Sequence, residues 1–533
     1  MKRTTCLIPI VCAVLTLSAQ PDTTVFDYHT VKHLDPWLTS RNAAALTRFS
    51  SPNMAQAQAT LSHEQGGLAD YYQPPRALLS DLRVEAYQRT GKNTVVFGQM
   101  SYTHASAHDV SGSVFTNPTR QPFDLVEDSL TNQGKAATDT YHLTGAVGTH
   151  LASSIAIGAS LDYTSANMAK YKDLRHKNML MNLQAQASVY IPLGQLASLG
   201  ASYLYHRNTE SLVFSTYGKV DKVYKTLVAY AAFMGYAEQF GTNGYTNKSH
   251  EMPLVDDRDG LALQLDLHPW QPLSLYQQFT FFNRRGYYGN KSPYTITYAR
   301  HHSHIYQYEA SLQYHTTSTC HRLDLTLEAE NLENKAAVYR ELVNETGASY
   351  YEYYAPSKTA NKLWVEGHAA YTLSLGQWAT LPSWQFTAAY DWQHTKQTAY
   401  LYPYYRRQKL NQNHFSLTAT HNRLLRRGVL TMSVTAGFIN GNGQPYTDLT
   451  FTAPSDKQTA PDTMDAFLWR QYQWLTSPQR LLSAKCQYAF PLPHTSLMLH
   501  AGASASHRKA NRTCPFSDGS DRTTLAIFLG CTF

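Results

Sequence analysis

The sequence is poor in charged residues and has no long apolar run beyond its first twenty residues. Charged side chains make up 16% of the 533 residues, against about 25% in ordinary globular chains. The run from Leu7 to Leu17 follows Lys2 and Arg3 and is shorter than the roughly 20 residues that a spanning helix needs. We therefore predict a cleaved signal peptide over residues 1–20 and no helical membrane domain.

Cysteine is also scarce, and the formal charge is low for a nucleic-acid partner. The four cysteines beyond residue 20 match no zinc-ligand spacing; they are Cys320, Cys486, Cys514 and Cys531. We expect free thiols, because the alternating pattern places Cys486 and Cys531 on strands that are not neighbours. The charge of +7 is dispersed along the chain, which argues against nucleic acid. We predict no cofactor and no resident metal.

The chain ends on an alternating apolar strand. Leu525, Ile527, Leu529 and Phe533 share one face, because successive side chains of a strand point to opposite sides. An unpaired apolar edge is an aggregation hazard in water, whereas a closed barrel pairs it and turns its apolar face to lipid. We predict an outer-membrane location, contact with membrane lipid, and recognition of these four residues as a signal by the barrel assembly machinery.

Alternation of this kind recurs along the chain, as in His321 to Glu330 and in Leu261 to His268. Short links such as Thr90 to Asn93 alternate with long ones such as Thr209 to Asp259 and Lys396 to Gln408, which is typical of periplasmic turns and extracellular loops. The predicted fold is all-β: a transmembrane antiparallel up-and-down β-barrel of about 18 strands, range about 16–20.

The barrel is predicted over residues 55–533, after an N-terminal periplasmic or lumenal segment over residues 21–54. Within that segment, Trp37 to Leu46 lacks the strand period and favours a short helix or an ordered turn. It is either a small plug-like segment that enters the lumen or a flexible leader.

A barrel of this size is wide enough to hold an aqueous passage, so charged residues on the inward phase are candidates for lining it. The lumen-lining candidates are Arg83, Glu85, Asp266, His268, Arg322, Asp324, Glu328, Glu330, Glu366 and His368. Charges of both signs suit an open channel that orients polar solutes, and they equally suit ion pairs that close a plugged barrel.

The aromatic and histidine-rich links leave further alternatives open. Tyrosines near residues 350 and 400 fit an aromatic girdle at the membrane surface or a contact surface for a ligand. His301 and His302 lie on opposite faces of a strand and do not chelate one metal together. Asp257 and His304 are the candidates for a barrel hydrolase, and no serine motif accompanies them, so we predict no enzyme.

The order of several segments resembles a poorly characterised family of Bacteroidota outer-membrane β-barrel proteins. The resemblance rests on Trp37 to Leu46, Gly67 to Tyr72, Val84 to Tyr87 and Val96 to Tyr102. It implies a fold and a location, and no substrate.

The size of the long links favours recognition over free diffusion, since loops usually carry binding functions. We therefore expect an accessory or surface-binding component of a nutrient-uptake system, with a TonB-dependent receptor or a lipoprotein as its candidate partner in the outer membrane. A passive porin-like diffusion channel is the alternative, and a barrel hydrolase is the second alternative.

Overall fold

The computed structural model describes residues 32, 34–51, 53–127, 133–152, 154–173, 175–215, 224–240, 252–495, 497–512 and 515–533. The predicted signal peptide and Cys514 lie outside these residues. Within them the chain is mostly β-structure, with 3-10 helices at Pro36–Thr39 and Ala43–Arg48 and an α-helix, α1, at Asp465–Thr476. No helix in the described ranges is both long and apolar enough to cross a bilayer.

The strands are numbered in chain order from β1 to β24. Those of the barrel are β1 Met54–Gln65, β2 Arg76–Arg89, β3 Thr94–Val110, β5 Gly134–Ala152, β6 Ile155–Lys170, β7 Arg175–Leu193, β8 Ala197–Ser215, β11 Met252–Trp270, β12 Leu273–Gly289, β13 Thr297–His315, β14 Thr319–Ala336, β17 Ser357–Gln377, β18 Leu381–Leu401, β19 Tyr404–Leu425, β20 Gly428–Thr450, β22 Gln479–Pro491, β23 Met498–Ala510 and β24 Asp521–Thr532. The others are β4 Asp124–Glu127, β9 Tyr224–Ala231, β10 Met234–Phe240, β15 Tyr339–Val343, β16 Ser349–Tyr353 and β21 Asp462–Thr463.

The barrel is a closed sheet of 18 strands in which each strand pairs antiparallel with its neighbours in chain order. β24 closes on β1 in a register that places Thr532 opposite Gln56. The backbone N–H of Ala55 donates to the Phe533 carbonyl at 2.6 Å, and Phe533 returns the bond at 2.9 Å. Closure leaves no free sheet edge. The predicted 18-stranded antiparallel barrel is confirmed.

The barrel strands are longer than the apolar alternation indicates, running from 12 residues in β1 to 23 in β20. The predicted long link from Lys396 to Gln408 is therefore wrong in extent: β18 and β19 continue through it and leave residues 402–403 as the turn. Hydrogen bonds between neighbouring strands satisfy the backbone groups whether or not the outer face is apolar. The apolar part of the outer face therefore covers only part of each strand, and the strands extend beyond it.

The outer face of the barrel exposes large apolar side chains that a water-soluble protein would bury. Leu525, Ile527 and Leu529 are all exposed, while Phe528 on the opposite face is buried. The Lys485 ammonium lies 4.9 Å from the centroid of the Phe528 ring. The last strand thus has an apolar outer face and an inner face that packs within the barrel.

A second group of packed elements lies inside the barrel, at the end that carries the long links. β21, β10, β9 and β4 form a small sheet, against which α1 packs. We call residues 66–75, 111–127, 224–240 and 462–476 the cap. Its apolar core unites Tyr71, Val126, Leu227, Phe233 and Phe467, and a neighbouring cluster joins Phe115 and Phe123 to the barrel. Burial of these side chains from water holds the cap together.

Candidate functional site

The N-terminal segment, residues 35–49, packs against one side of the lumen. The indole N–H of Trp37 donates to Asp266 at 2.9 Å, and the Trp37 ring meets Tyr190 and Tyr276 edge to face. The two 3-10 helices begin at the side-chain caps of Asp35 and Asn42. The helix or turn predicted over Trp37 to Leu46 is therefore present as two short helices.

Small inward residues make room for this segment. A Cβ at Gly158 would lie 2.3 Å from the backbone nitrogen of Ala44, and a Cβ at Gly200 would lie 2.5 Å from the side chain of Asn42. The Asn42 amide also donates to the Val189 carbonyl at 2.9 Å and to Gln264 at 3.1 Å. We call the inward faces of β5–β8, β11 and β12 the packed wall, because the segment and the cap cover them.

The cap is fastened to the barrel by Arg120, at the tip of the β3–β5 link. Its φ of 58° is uncommon for a residue other than glycine. The guanidinium pairs with Glu328, with Glu366 at 2.7 Å and with Glu330 at 3.7 Å. These three carboxylates come from β14 and β17, so Arg120 ties the cap to barrel strands beyond the packed wall.

A second arginine, on a barrel strand, also contacts the cap. Arg284 of β12 pairs with Asp256 at 2.6 Å and with Glu330 at 2.8 Å, and all three side chains are buried. It also donates to the Arg120 carbonyl at 3.1 Å. Buried charges need this pairing, because an uncompensated charge in the interior is costly.

We call the inward faces of β14 and β17–β20 the open wall, and two polar chambers lie along its β14 and β17–β19 part. The upper chamber, of about 450 Å³, lies between the cap and the open wall and is lined by Arg120, Trp364, Glu366, Gln393 and Gln471, among others. The lower chamber, of about 320 Å³, is lined by Glu328, His368, Asp391 and His414 and shares Glu366 and Gln393 with the upper one. Because they share these residues, the two chambers lie next to each other along one wall.

Three residues on neighbouring strands form the floor of the lower chamber. Asp391 of β18 accepts from His368 of β17 at 2.5 Å and from His414 of β19 at 3.1 Å when Nδ1 of each ring carries a proton. Among the described residues, no three His, Cys, Asp or Glu side chains are arranged to hold a metal ion. The cluster is a hydrogen-bonded row that faces solvent.

Two aspartates of the cap are perturbed by burial. Removal from water raises the pKa of Asp70 to about 7 and that of Asp124 to about 6. Asp124 accepts from Ser113 at 2.5 Å and from Tyr71 at 2.8 Å. Burial thus disfavours the charged form of both carboxyls, and Asp70 accepts from the Tyr71 backbone N–H at 2.7 Å.

The structure separates the lumen-lining candidates into three groups. Arg83 and Glu85 lie beside the N-terminal segment, where Lys32 pairs with Glu85 at 2.9 Å; Asp266 and His268 also lie there. Arg322 and Asp324 pair with each other at 2.8 Å. Glu328, Glu330, Glu366 and His368 lie around the two chambers.

The structure does not bring together Asp257 and His304, the candidate hydrolase residues. Asp257 of β11 faces Arg285 in the register, and His304 of β13 faces Asn283. The strand β12 separates them, and no hydrogen bond joins them among the described residues. His301 is buried while His302 is exposed, as opposite faces of a strand require.

Sequence reasoning missed Arg120, Arg284 and α1. Arg284 shares the inward phase of Tyr276, Gln278, Thr280 and Phe282, so the alternation of β12 contained a usable signal. Arg120 lies in a link, where no periodicity indicates direction.

The sequence matches the Family of unknown function (DUF6850) over residues 43–533. The chain belongs to this family. The DUF6850 match covers the second 3-10 helix of the N-terminal segment as well as every barrel strand, so both belong to the unit that the family shares. No curated protein matches the sequence.

Several solved outer-membrane proteins are similar to this DUF6850 chain. The ferric preacinetobactin receptor BauA from Acinetobacter baumannii is 10% identical, with 91% of this chain and 80% of that chain covered and a TM-score of 0.40. The outer-membrane transporter YddB from Escherichia coli is 7% identical, with 90% and 81% covered and a TM-score of 0.38. At these TM-scores the likenesses assign neither a ligand nor a mechanism to the chain.

Proposed function

We propose that the protein is an outer-membrane barrel that acts as an accessory or surface-binding component of a nutrient-uptake system, closed at rest. Its candidate partner is a TonB-dependent receptor or a lipoprotein of the same membrane. The exposed apolar outer face supports a lipid setting, because contact with water would be unfavourable there. Residues 1–20 would direct export, residues 21–54 would contribute the lumenal plug, and residues 55–533 would form the barrel.

The observation that carries the proposal is the contact between Arg120 and the glutamates of β14 and β17. It holds a folded cap inside the lumen at the long-link end, while the N-terminal segment covers the packed wall. A passive pore works best with its charged lining free to face solutes. Here Glu328, Glu330 and Glu366 are engaged by the chain's own arginine.

The long-link end also offers a surface for a partner. The hairpin of β15 and β16 pairs Tyr339 with Tyr353 and Leu342 with Tyr350, and Tyr339, Tyr350 and Tyr353 are exposed. Exposed tyrosines are common at protein contacts because they combine a large ring with a polar group. This favours an accessory role over the porin-like alternative.

Conductance in planar bilayers tests closure. We expect the unmodified barrel to pass little steady current, and Arg120→Ala to pass several times more, because the cap loses its ion pairs to the open wall. Arg285→Ala is the matched control, since Arg285 lies on the outer face and is well exposed. Steady high conductance of the unmodified protein would favour the porin-like alternative.

Copurification from native membranes, without added bait, tests the accessory role. An outer-membrane receptor or lipoprotein should be recovered with the barrel and lost when Tyr339, Tyr350 and Tyr353 are replaced by serine. Recovery of the barrel alone from crosslinked membranes would contradict the role.

Assembly at the C-terminus is a separate part of the proposal. Phe533→Ser should lower the amount of barrel in the outer membrane if Phe533, Leu529, Ile527 and Leu525 are the assembly signal. Undiminished surface levels would count against it.

A further inference from the structure

The upper chamber has the size and form of a ligand site. Its volume of about 450 Å³ lies within the roughly 300–1,000 Å³ of typical small-molecule sites. Four separate parts of the chain build it: the β1–β2 link, the tip of the β3–β5 link, the β9–β10 hairpin and α1, all facing β17 and β18.

The charged groups of this chamber are already engaged by the protein. Arg120 is paired with glutamates, and the Lys362 ammonium donates to the Gln121 carbonyl at 2.9 Å. Asp124 accepts from Ser113 and Tyr71. A charged ligand would therefore have to compete with existing contacts, each of which is expensive to leave unmade.

The uncharged groups are the ones that remain available. Within the described residues, the side chains of Gln471, Thr395 and Trp364 make no hydrogen bond. Gln393 uses its amide N–H on Glu366 at 2.7 Å, and Gln397 uses its own on Gln408 at 2.5 Å, so both carbonyl oxygens are left to accept. Carboxamides and hydroxyls offer donors and acceptors at close spacing.

Indole rings complete the lining. Trp364 lies on β17 and Trp474 near the end of α1, and both line the chamber. Trp364 is 8% exposed, and the Arg508 guanidinium lies 4.9 Å from the centroid of the Trp474 ring, so part of each indole meets the chamber beside the polar groups. Indole carbons interleaved with neutral donors and acceptors match a molecule that carries hydroxyl groups around an apolar ring.

We propose that the upper chamber binds a short neutral carbohydrate. The assignment rests on the proposed function as a binding component, and it names the class of solute that the component would capture. A zwitterionic peptide fits less well, because its termini need the Arg120 and Glu366 groups that hold the cap in place.

Binding to the purified full-length barrel tests this, in a detergent that has no sugar headgroup. The neutral probes are maltotriose, cellotriose and mannotriose, and the comparison probes are trialanine, trilysine and trigalacturonate, each followed by calorimetry. We expect saturable binding of at least one neutral trisaccharide. Its Kd should rise about tenfold in Gln471→Ala and in Trp364→Phe, the size expected for one lost hydrogen bond.

Matched controls lie at the other end of the barrel. Gln377→Ala and Trp378→Phe change the same residue types at the β17–β18 turn, away from the chamber, and should leave the Kd unchanged. Trp364→Phe keeps an aromatic ring while removing the indole N–H, so it tests the polar contact without emptying the site.

Three outcomes would overturn the assignment: binding confined to the charged or peptide probes, equal neutral binding by the chamber variants and the unmodified protein, and no binding by any probe. The proposed function fails on different measurements, namely high resting conductance and recovery without a partner. The two failures can therefore be told apart.

Discussion

The packed wall and the open wall follow the same strand alternation, yet polar residues that face inward can differ widely in exposure between them. Gln264 and Gln278 on the packed wall are 2% and 1% exposed, whereas the side chains of His368 and Asp391 on the open wall are 42% and 45% exposed. The residue types are alike, since both faces are polar. The alternation therefore shows which way a polar side chain points. Its exposure depends on which other segments fill the lumen beside it.

The difference lies in the partners of these polar groups. On the packed wall they bond to the N-terminal segment, as when the Arg41 backbone N–H donates to Gln278 at 3.0 Å. On the open wall, hydroxyls pair across strands, as in Thr372 with Thr387 at 3.1 Å and Thr418 with Thr435 at 2.9 Å. The first pattern stabilises a contact between segments, and the second stabilises a sheet whose inner face stays wet.

The largest effect should come from the buried arginine at the top of the packed wall. Arg284→Met leaves Asp256 and Glu330 buried with less compensation, which should cost about 3 kcal/mol or more of the free energy of unfolding. Arg285→Met, at the next residue but on the outer face, should cost less than about 1 kcal/mol. Urea titration of the refolded barrels in micelles measures both.

A similar loss of the free energy of unfolding in the two variants would show that the buried ion pairs of Arg284 contribute no more than an exposed pair. Ion pairs would then not stabilise the packed wall.

The contact between the segment and the packed wall can be broken by a methyl group. Gly158→Ala places a carbon 2.3 Å from the Ala44 nitrogen, and overpacking of this kind costs about 1–3 kcal/mol. We expect faster amide hydrogen exchange over residues 36–48 while the barrel strands stay protected.

Gly145→Ala on the adjacent strand is the control, because no atom lies within 4 Å of a Cβ there. If exchange over residues 36–48 is unchanged in Gly158→Ala, the segment does not lie against β6 in solution.

The barrel could be predicted from the sequence because alternation survives wherever a strand has an apolar outer face and a polar inner face. Leu323, Leu325 and Leu327 follow that rule, and so does the terminal strand. The two walls could not be told apart, because a polar side chain facing protein and one facing water have the same period. Gly158 and Gly200 were the local signs of a close approach, but a glycine in a strand is also common at bulges.

The cap was missed for a related reason. The β3–β5 and β8–β11 links fold through strands as short as β4, whose apolar residues pack in the cap rather than on the outer face of the barrel. Arg120 acts through three glutamates that are distant in sequence, and pairing of that kind follows from the tertiary fold.

The smallest effect on the free energy of unfolding should come from replacing one aspartate by asparagine on each wall, in two separate variants. Asp266→Asn weakens the bond from the Trp37 indole, at 2.9 Å, in a buried setting, so about 1 kcal/mol of the free energy of unfolding should be lost. Asp391→Asn should change it by no more than about 0.5 kcal/mol, because water can replace the contacts of Asp391 with His368 and His414. The same urea titration resolves the pair when the two variants are measured side by side. Equal losses would mean that the open wall is as dry as the packed wall, and that the two faces of the lumen differ in shape alone.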